Sequence, residues 1–370
     1  MADRFPIRRI DHIEFHVGNA RQAAAFYQHA FGFHVTAYRG LETGCRETTS
    51  YVLECDTIRF VLTSGLAPGN AAARFAHAHG DGVAVVALEV PDAAHAFAEA
   101  QRHGAVGAAE PAEERDGQGL FRSAAIHAYG DTVIRFVERH GYDGVFAPGF
   151  EPRTGPEPTG ADAGLTAIDH VVANVERGQM DRWVQFFTET MGFSELLHFD
   201  DEAISTEYSA LMSKVMQDGT GRIKFPINEP ATGRRQSQIA EYLDYFGGPG
   251  VQHIAFATDD IVETVSRMRA RGMTFLSVPA AYYDDLPARV PAIGPYAGVL
   301  AGLGILADRD EDGYLLQIFT EPVQDRPTVF FEVIERRGSR GFGQGNFQSL
   351  FEAIEREQAR RGNLVEAAAS

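Results

Sequence analysis

The run RIDHIEFHVGNARQAAAFYQHAFGF (9–33) opens with β-type residues, turns at Gly18 and Asn19, and continues as an amphipathic helix that Gly32 closes. The same pattern returns in AIDHVVANVERGQMDRWVQFFTETMGF (167–193). There Met180, Trp183, Val184, Phe187 and Met191 recur at steps of three and four, which predicts one buried stripe with Trp183 in the core. Each copy continues with a β-rich segment (46–65 and 205–230), a second strand and helix (82–105 and 250–273) and terminal strands (132–141 and 328–338). This is a domain-sized duplication. Each half reads as two βαβββ modules, an α+β architecture with helices covering one face of a curved mixed sheet. The Pro-, Gly- and acid-rich stretch FAPGFEPRTGPEPTGADAG (146–164) predicts a linker, and the chain divides into a domain at 1–150, a linker at 151–164 and a domain at 165–370. Beyond Gly345 a terminal helix is expected, with Phe347, Leu350, Phe351 and Ile354 on one face and Gly362 as its stop.

Composition narrows the function classes. At 370 residues and 44% apolar content the chain can bury two cores. A net charge of -18 without clustered Lys and Arg excludes a nucleic-acid partner. The N-terminus, MADRFPIRRIDHIEF, lacks the apolar stretch of a secretory signal, so a cytoplasmic protein is expected. Cys45 and Cys55 fit no metal-binding spacing and are expected to be buried, reduced thiols. The uncharged run PAIGPYAGVLAGLGILA (291–307) is short for a membrane span and broken by Gly and Pro, so it is expected to form a loop leading into a strand.

The polar residues that resist this scheme carry the chemistry. Glu332 sits inside the apolar run TVFFEVI, on the face of Phe330 and Ile334, where an unpaired charge is costly. A cation is the simplest partner, and His170 in AIDHVV and His253 in GVQHIAF occupy corresponding strand contexts. In the first half His12 matches His170, but Val85 holds the slot of His253 and Arg135 that of Glu332, so only the second half assembles the set. Two histidines and a carboxylate with open positions are the ligand set of non-haem ferrous oxygenases, and zinc accepts the same set. Ser213, Asn228, Gln238, Gln252 and Gln317 add uncharged polar groups on apolar strands, although Asn228, in the turn-like PINEP, is equally explained by a turn. Phe319, Phe330, Phe342 and Phe347 could wall an aromatic substrate.

Eight ordered blocks, DHVVANV, YSALMSKV, KFPINEP, SQIAEYL, GVQHIAF, DEDGYLLQIFT, RPTVFFEVIER and GFGQGNFQSLFEAIE, resemble the 4-hydroxyphenylpyruvate dioxygenase family of the vicinal-oxygen-chelate superfamily. The resemblance implies a duplicated vicinal-oxygen-chelate fold, with an open β-barrel in each half and a C-terminal helix gating the site. It implies one Fe(II) per chain on His170, His253 and Glu332, with catalytic roles for Gln252, Gln317, Ser213, Asn228 and Gln238. Substrate contacts would come from Val172, Pro226, Phe319, Phe330, Phe342, Asn346, Phe347 and Leu350. The implied reaction takes 4-hydroxyphenylpyruvate and O2 to homogentisate and CO2 by oxidative decarboxylation, ring hydroxylation and side-chain migration, in tyrosine catabolism. No nucleic-acid or membrane partner is implied, and a homo-oligomer, dimer or tetramer, is.

Two alternatives stand beside this reading. Hydroxymandelate synthase is similar, uses the same substrate and triad, and attacks the benzylic carbon; it departs at the positions matching Pro226, Asn228 and Phe347, where this chain keeps the dioxygenase pattern. The superfold also serves non-catalytic small-molecule binding proteins and metal lyases. The apolar stretch 286–304 departs from the family, which carries a charged helix there, and an exposed apolar patch in it would mark a subunit contact.

Overall fold

The computed structural model describes residues 3–154, 162–199, 211–231 and 233–364. The centre of the expected linker (155–161) and the start of the YSALMSKV block lie outside the described residues. In the first half, β1 (Arg9–His16), α1 (Ala20–Phe31), β2 (His34–Arg39), β3 (Thr48–Cys55) and β4 (Ile58–Gly65) form one module. After α2 (Ala71–His79) comes a second: β5 (Gly82–Glu89), α3 (Ala93–Arg102), β6 (Gly107–Asp116), β7 (Gly119–His127) and β8 (Val133–Glu138), followed by a short β9 (Glu151–Pro152). The second half repeats the plan. Its first module is β10 (Leu165–Asn174), α4 (Met180–Phe186), β11 (Ser194–Phe199), β12 (Leu211–Gln217) and β13 (Lys224–Pro230). Then follow α5 (Gln238–Phe246), β14 (Gly250–Thr258), α6 (Ile261–Ala270), α7 (Leu286–Arg289), α8 (Ala297–Leu303), β15 (Leu306–Arg309), β16 (Tyr314–Phe319), β17 (Phe330–Arg337) and α9 (Phe347–Arg361).

Local chemistry sets several of these boundaries alike in both copies. Asn19 caps α1 by accepting from the Gln22 amide at 3.1 Å, and Gly32 ends it in the left-handed region at φ 79°. Gly192 does the same at φ 80° after the π-helical last turn Phe187–Met191. Asp92 and Asp260 cap α3 and α6. The Glu138 and Glu335 side chains add a second anion at those helix starts, accepting from the Ala93 and Ile261 amides at 3.2 and 2.8 Å.

The strand orders coincide. The first sheet runs β6-β7-β8-β5-β1-β4-β3-β2-β9 and the second, read backwards, β15-β16-β17-β14-β10-β13-β12-β11. In each, the first strands of the two modules pair antiparallel (β1 with β5, β10 with β14), and each also pairs parallel with the last strand of its own module. The result is the pair of doubled βαβββ halves that the repeat predicted, arranged as the duplicated vicinal-oxygen-chelate fold that the resemblance implied. The halves share one hydrophobic core. At its centre Phe331 of β17 packs against Phe31 at 4.9 Å, Phe256 at 5.3 Å and Phe60 at 6.1 Å between ring centroids, so rings from both halves interlock.

Four expectations need correcting. The 286–304 stretch is helical, with two short α-helices around the 3₁₀ turn Pro291–Tyr296; Leu286, Ile293 and Leu300 bury against the core while Tyr296 and Val299 stay exposed. Spacing of apolar residues along helical turns outweighed the Gly and Pro content there. PINEP is strand and not turn: Asn228 pairs with Ser213 of β12 and Asn174 of β10. Trp183 is only half buried and meets Tyr129 edge-on at 5.7 Å, whereas Met180, Phe187 and Met191 are fully buried. Within the stretch read as linker, Phe146 and Ala147 are buried and β9 pairs with β2. Because Phe331 ties the two halves, Phe331→Ala is expected to destabilise the protein by about 3–5 kcal/mol, read as a lower urea midpoint in equilibrium unfolding; an unchanged midpoint would show that the ring cluster is not what holds the halves together.

Candidate metal centre

Strand β14 is the floor of the site. Its Ala255 pairs with His170 of β10 on one side and Glu332 of β17 on the other, so all three side chains rise from one face in a row. The next row is Val172, His253 and Phe330. The methyl group of Ala255 is too short to separate its neighbours, and His170 and Glu332 meet above it, Nε2 to Oε2 at 3.1 Å. The Nε2 of His253 reaches the same oxygen at 3.5 Å. Ligands on adjacent vertices of an octahedron with bonds of ~2.1 Å lie about 3.0 Å apart. These separations therefore suit one face of an octahedral ion, and one donor atom from each of the three residues falls within 4.8 Å of the others.

Two β-bulges aim the imidazoles. The register of β10 against β14 skips Asp169, and that of β14 against β10 skips Gln252. In a regular strand adjacent residues face opposite ways; at these bulges each extra residue turns beside the histidine that follows it. Asp169 Oδ1 lies 2.7 Å from His170 Nδ1, and Gln252 Oε1 lies 2.9 Å from His253 Nδ1. With the Nδ1 protons so engaged, both Nε2 lone pairs are available to a metal. Arg336 holds Asp169 in turn through two bonds of 2.7 and 2.8 Å.

The electrostatics favour a cation. Burial opposes ionisation of Glu332, yet the neighbouring imidazoles hold it below the usual carboxylate range. Burial likewise disfavours a charged His170, but Glu332 and Asp169 raise it above the ordinary imidazole value. His253, with less compensation for its burial, is lowered. Asp169 is desolvated too, and Arg336 and His170 nevertheless keep it well below the usual range, a fixed negative charge behind the ligand set. The donor set, its spacing and its hydrogen-bonded backing fit a divalent metal ion.

Above the triad lies a cavity with largely apolar walls. Of the residues singled out in the sequence, Ser213, Asn228, Gln238 and Gln252 supply polar groups to its lining. Phe319, Phe330, Phe342 and Phe347 line it as well, with Val172, Pro226 and Leu350. Phe330 stacks on His253 at 4.8 Å and Phe342 meets His170 edge-on at 5.0 Å. Gln317 and Asn346 lie outside that lining. Gln317 is buried, neither atom of its amide has a hydrogen-bond partner among the described residues, and a Cβ at Gly343 would fall 2.5 Å from its nitrogen. Asn346 accepts from the Tyr282 hydroxyl at 2.6 Å at the start of α9.

Several residues of the site escaped the sequence reading. Phe199, Leu211 and Val215 complete the walls, and Phe351 and Ile354, expected only as the apolar face of α9, reach the cavity. Asp169 and Arg336 left a trace: the dipeptides Asp-His and Glu-Arg occur in both copies. Their duplicates form the same contacts, with Asp11 Oδ1 2.6 Å from His12 Nδ1 and 2.7 Å from Arg139. Ala255 left no trace at all.

The glyoxalase/bleomycin resistance protein/dioxygenase superfamily model matches residues 9–144 and again 167–318. The chain is 46% identical to a 4-hydroxyphenylpyruvate dioxygenase of Yarrowia lipolytica, covering 96% of this chain and 94% of the relative. With the enzyme of that name from Danio rerio identity is 47%, over 96% and 91% of the two chains. Among solved structures it superposes on a triple mutant of 4-hydroxymandelate synthase from Streptomyces coelicolor with a TM-score of 0.86, at 33% identity over 96% of this chain and all of the other. It also superposes on a fusion of a xylose isomerase-like TIM barrel with 4-hydroxyphenylpyruvate dioxygenase, with a TM-score of 0.74 at 25% identity over 96% of this chain and 53% of that one. Doubled fold, buried triad and full-length identity agree: the chain belongs to the 4-hydroxyphenylpyruvate dioxygenases of the glyoxalase/bleomycin resistance protein/dioxygenase superfamily.

Proposed function

We propose that this chain uses ferrous iron on His170, His253 and Glu332 to convert 4-hydroxyphenylpyruvate and O2 to homogentisate and CO2. The observation that carries the reading is the facial arrangement of two imidazoles and one carboxylate at the base of a phenylalanine-walled cavity, within the half 165–370. The half 1–150 shares the backbone and keeps His12 in the place of His170, but lacks the other two ligands, because Val85 and Arg135 stand in register where His253 and Glu332 do.

When bound, the iron supplies the redox chemistry with O2 and a docking point for the 2-oxo acid. The chain's own residues do the rest. Phe319, Phe330 and Phe342 confine the aromatic ring, and the amides of Gln252, Gln238 and Asn228 with the Ser213 hydroxyl orient polar groups without adding charge. From α9, Phe347, Leu350, Phe351 and Ile354 cover the cavity and exclude water. Arg361 of α9 pairs with Glu241 of α5 at 2.8 Å, and Asn363 donates to the same carboxylate at 2.8 Å, which holds the cover down.

Ring attack is favoured over benzylic attack. Pro226, Asn228 and Phe347, where hydroxymandelate synthase departs, all face the cavity. Whole-chain identity is also higher to the named 4-hydroxyphenylpyruvate dioxygenases (46 and 47%) than to the synthase structure (33%).

Incubation with iron, O2 and 4-hydroxyphenylpyruvate is expected to yield homogentisate with oxygen uptake; 4-hydroxymandelate as the main product would overturn the assignment. His170→Ala, His253→Ala and Glu332→Ala are each expected to reduce the iron content of anaerobically purified protein to background, while His12→Ala retains it. Asp169→Asn should weaken iron affinity about 10–100-fold by releasing the His170 ring, and Ala255→Val, which inserts two methyl groups between His170 and Glu332, should weaken it also; iron titrations matching wild type in both variants would refute the roles given to the bulge and the spacer. Phe347→Ile is expected to divert part of the product to the benzylic alcohol, measured by chromatography, and an unchanged product ratio would mean that this ring does not aim the substrate.

A further inference from the structure

The first half keeps His12 but has lost the other two ligand positions, and it has not lost the space. Its barrel encloses a cavity of about 380 Å³, against about 80 Å³ above the triad, and small-molecule sites generally span roughly 300–1,000 Å³. His12, Glu14 and His16 project into it from alternate positions of β1, and Phe121, Phe146 and Phe150 form aromatic walls. The polar groups are not equally occupied. Glu14 is saturated, accepting from Arg135 and from the Thr63 hydroxyl, each at 2.9 Å. His12 is 1% exposed, and with its Nδ1 engaged by Asp11 its buried Nε2 has no hydrogen-bond partner among the described residues. Burial keeps that imidazole neutral, so Nε2 is an acceptor that calls for a donor. Arg39, at the end of β2 and also in the lining, lies 5.9 Å from the Phe150 ring and makes no ion pair among the described residues. The N-terminus of α2, with Ala71 and Ala72 in the lining, adds the positive end of a helix dipole to the same cavity. Apart from Glu14, Glu114, exposed at the rim, is the only carboxylate of the lining.

A metal ion is the wrong occupant, because a guanidinium replaces the carboxylate in register and a second one stands without an acid. We propose that this cavity binds a single-ring aromatic carboxylate bearing a hydroxyl group. The carboxylate pairs with Arg39 at the start of α2, the ring lies among Phe121, Phe146 and Phe150, and the hydroxyl donates to His12 Nε2. The site stands apart from the catalytic reading, since none of these residues touches the triad or its cavity.

A local reporter is built in. Cys45 Sγ lies 3.6 Å from Thr48 Oγ1, a lining residue; partial burial opposes ionisation, but hydrogen bonding at Thr48 and from the Glu47 backbone, with a smaller contribution from the charge of Arg39, brings its pKa down to about 7. Cys55 is buried and pushed up to about 12, so iodoacetamide at pH 7 labels Cys45 selectively. An anion on Arg39 withdraws that positive influence and slows the labelling. Metal-stripped full-length protein is titrated with 4-hydroxyphenylacetate by calorimetry while Cys45 alkylation is followed in parallel. The expected result is saturable binding whose midpoint coincides with the slowing of alkylation. Affinity should fall about tenfold or more in Arg39→Met and in His12→Asn, and about tenfold for phenylacetate, which lacks the hydroxyl. Thermal melting separates lost binding from lost folding, and Arg39→Met tests the site without touching the core. Heat of binding with no change at Cys45 would place the acid in the C-terminal cavity and overturn the proposal. Wild-type affinity in both variants, or no binding at all, would overturn it too.

Discussion

A carboxylate only 3% exposed, on a central strand among phenylalanines, is the constraint on which the second half depends. In such surroundings an isolated charge would be neutralised or expelled. Glu332 stays ionised because two imidazoles converge on one of its oxygens, and they converge because each is turned by a residue inserted into its strand. Asp169 and Gln252 occupy bulges, so the residue that orients each ring is its own chain neighbour. Arg336, two turns of the pleat beyond Glu332 on the same strand, closes the loop by gripping Asp169. Ligand, partner and partner's anchor thus come from only three adjacent strands, and their geometry is as stiff as the sheet.

The alternation of β17 connects this site to the stability of the whole chain. Phe330 and Glu332 face the cavity while Phe331, between them, faces the aromatic cluster joining the halves. One strand therefore serves both as wall of the site and as keystone of the interface. The first half supplies the other side of that cluster through Phe31, Phe33 and Phe60, and so supports the active half without contributing a ligand. Its own barrel shows what the backbone does when the side chains change. The bulges at Asp11 and Ala84, the Asp-His-Arg contact and the small Ala87 in mid-row all persist, while Val85 and Arg135 remove the affinity for a cation.

Much of this was legible along the chain. Helix stops at Gly32 and Gly192, the doubled strand–helix text and the exceptional placement of Glu332 are local signals: each depends on a glycine's access to positive φ, on side-chain periodicity, or on the cost of a buried charge. The helical form of 286–304 and the strand at Asn228 were misread because tertiary burial outweighed Gly, Pro and Asn propensities there. The pocket was legible only in part. Resemblance pointed to Gln317 and Asn346 as well, and these two are buried without forming part of the cavity lining.

From its sequence alone the chain determined its duplication, its helix boundaries and the asymmetry between a half that carries all three ligand positions and a half that keeps only the first of them, His12, because these are properties of residue type and spacing. Tertiary structure alone decided which residues aim the ligands and how much room remains. A bulge is defined by the register of two strands far apart in the chain, the value of Ala255 lies in what its neighbours on either side must reach across, and the open cavity of the first half exists only where seven strands and a helix end curl around it.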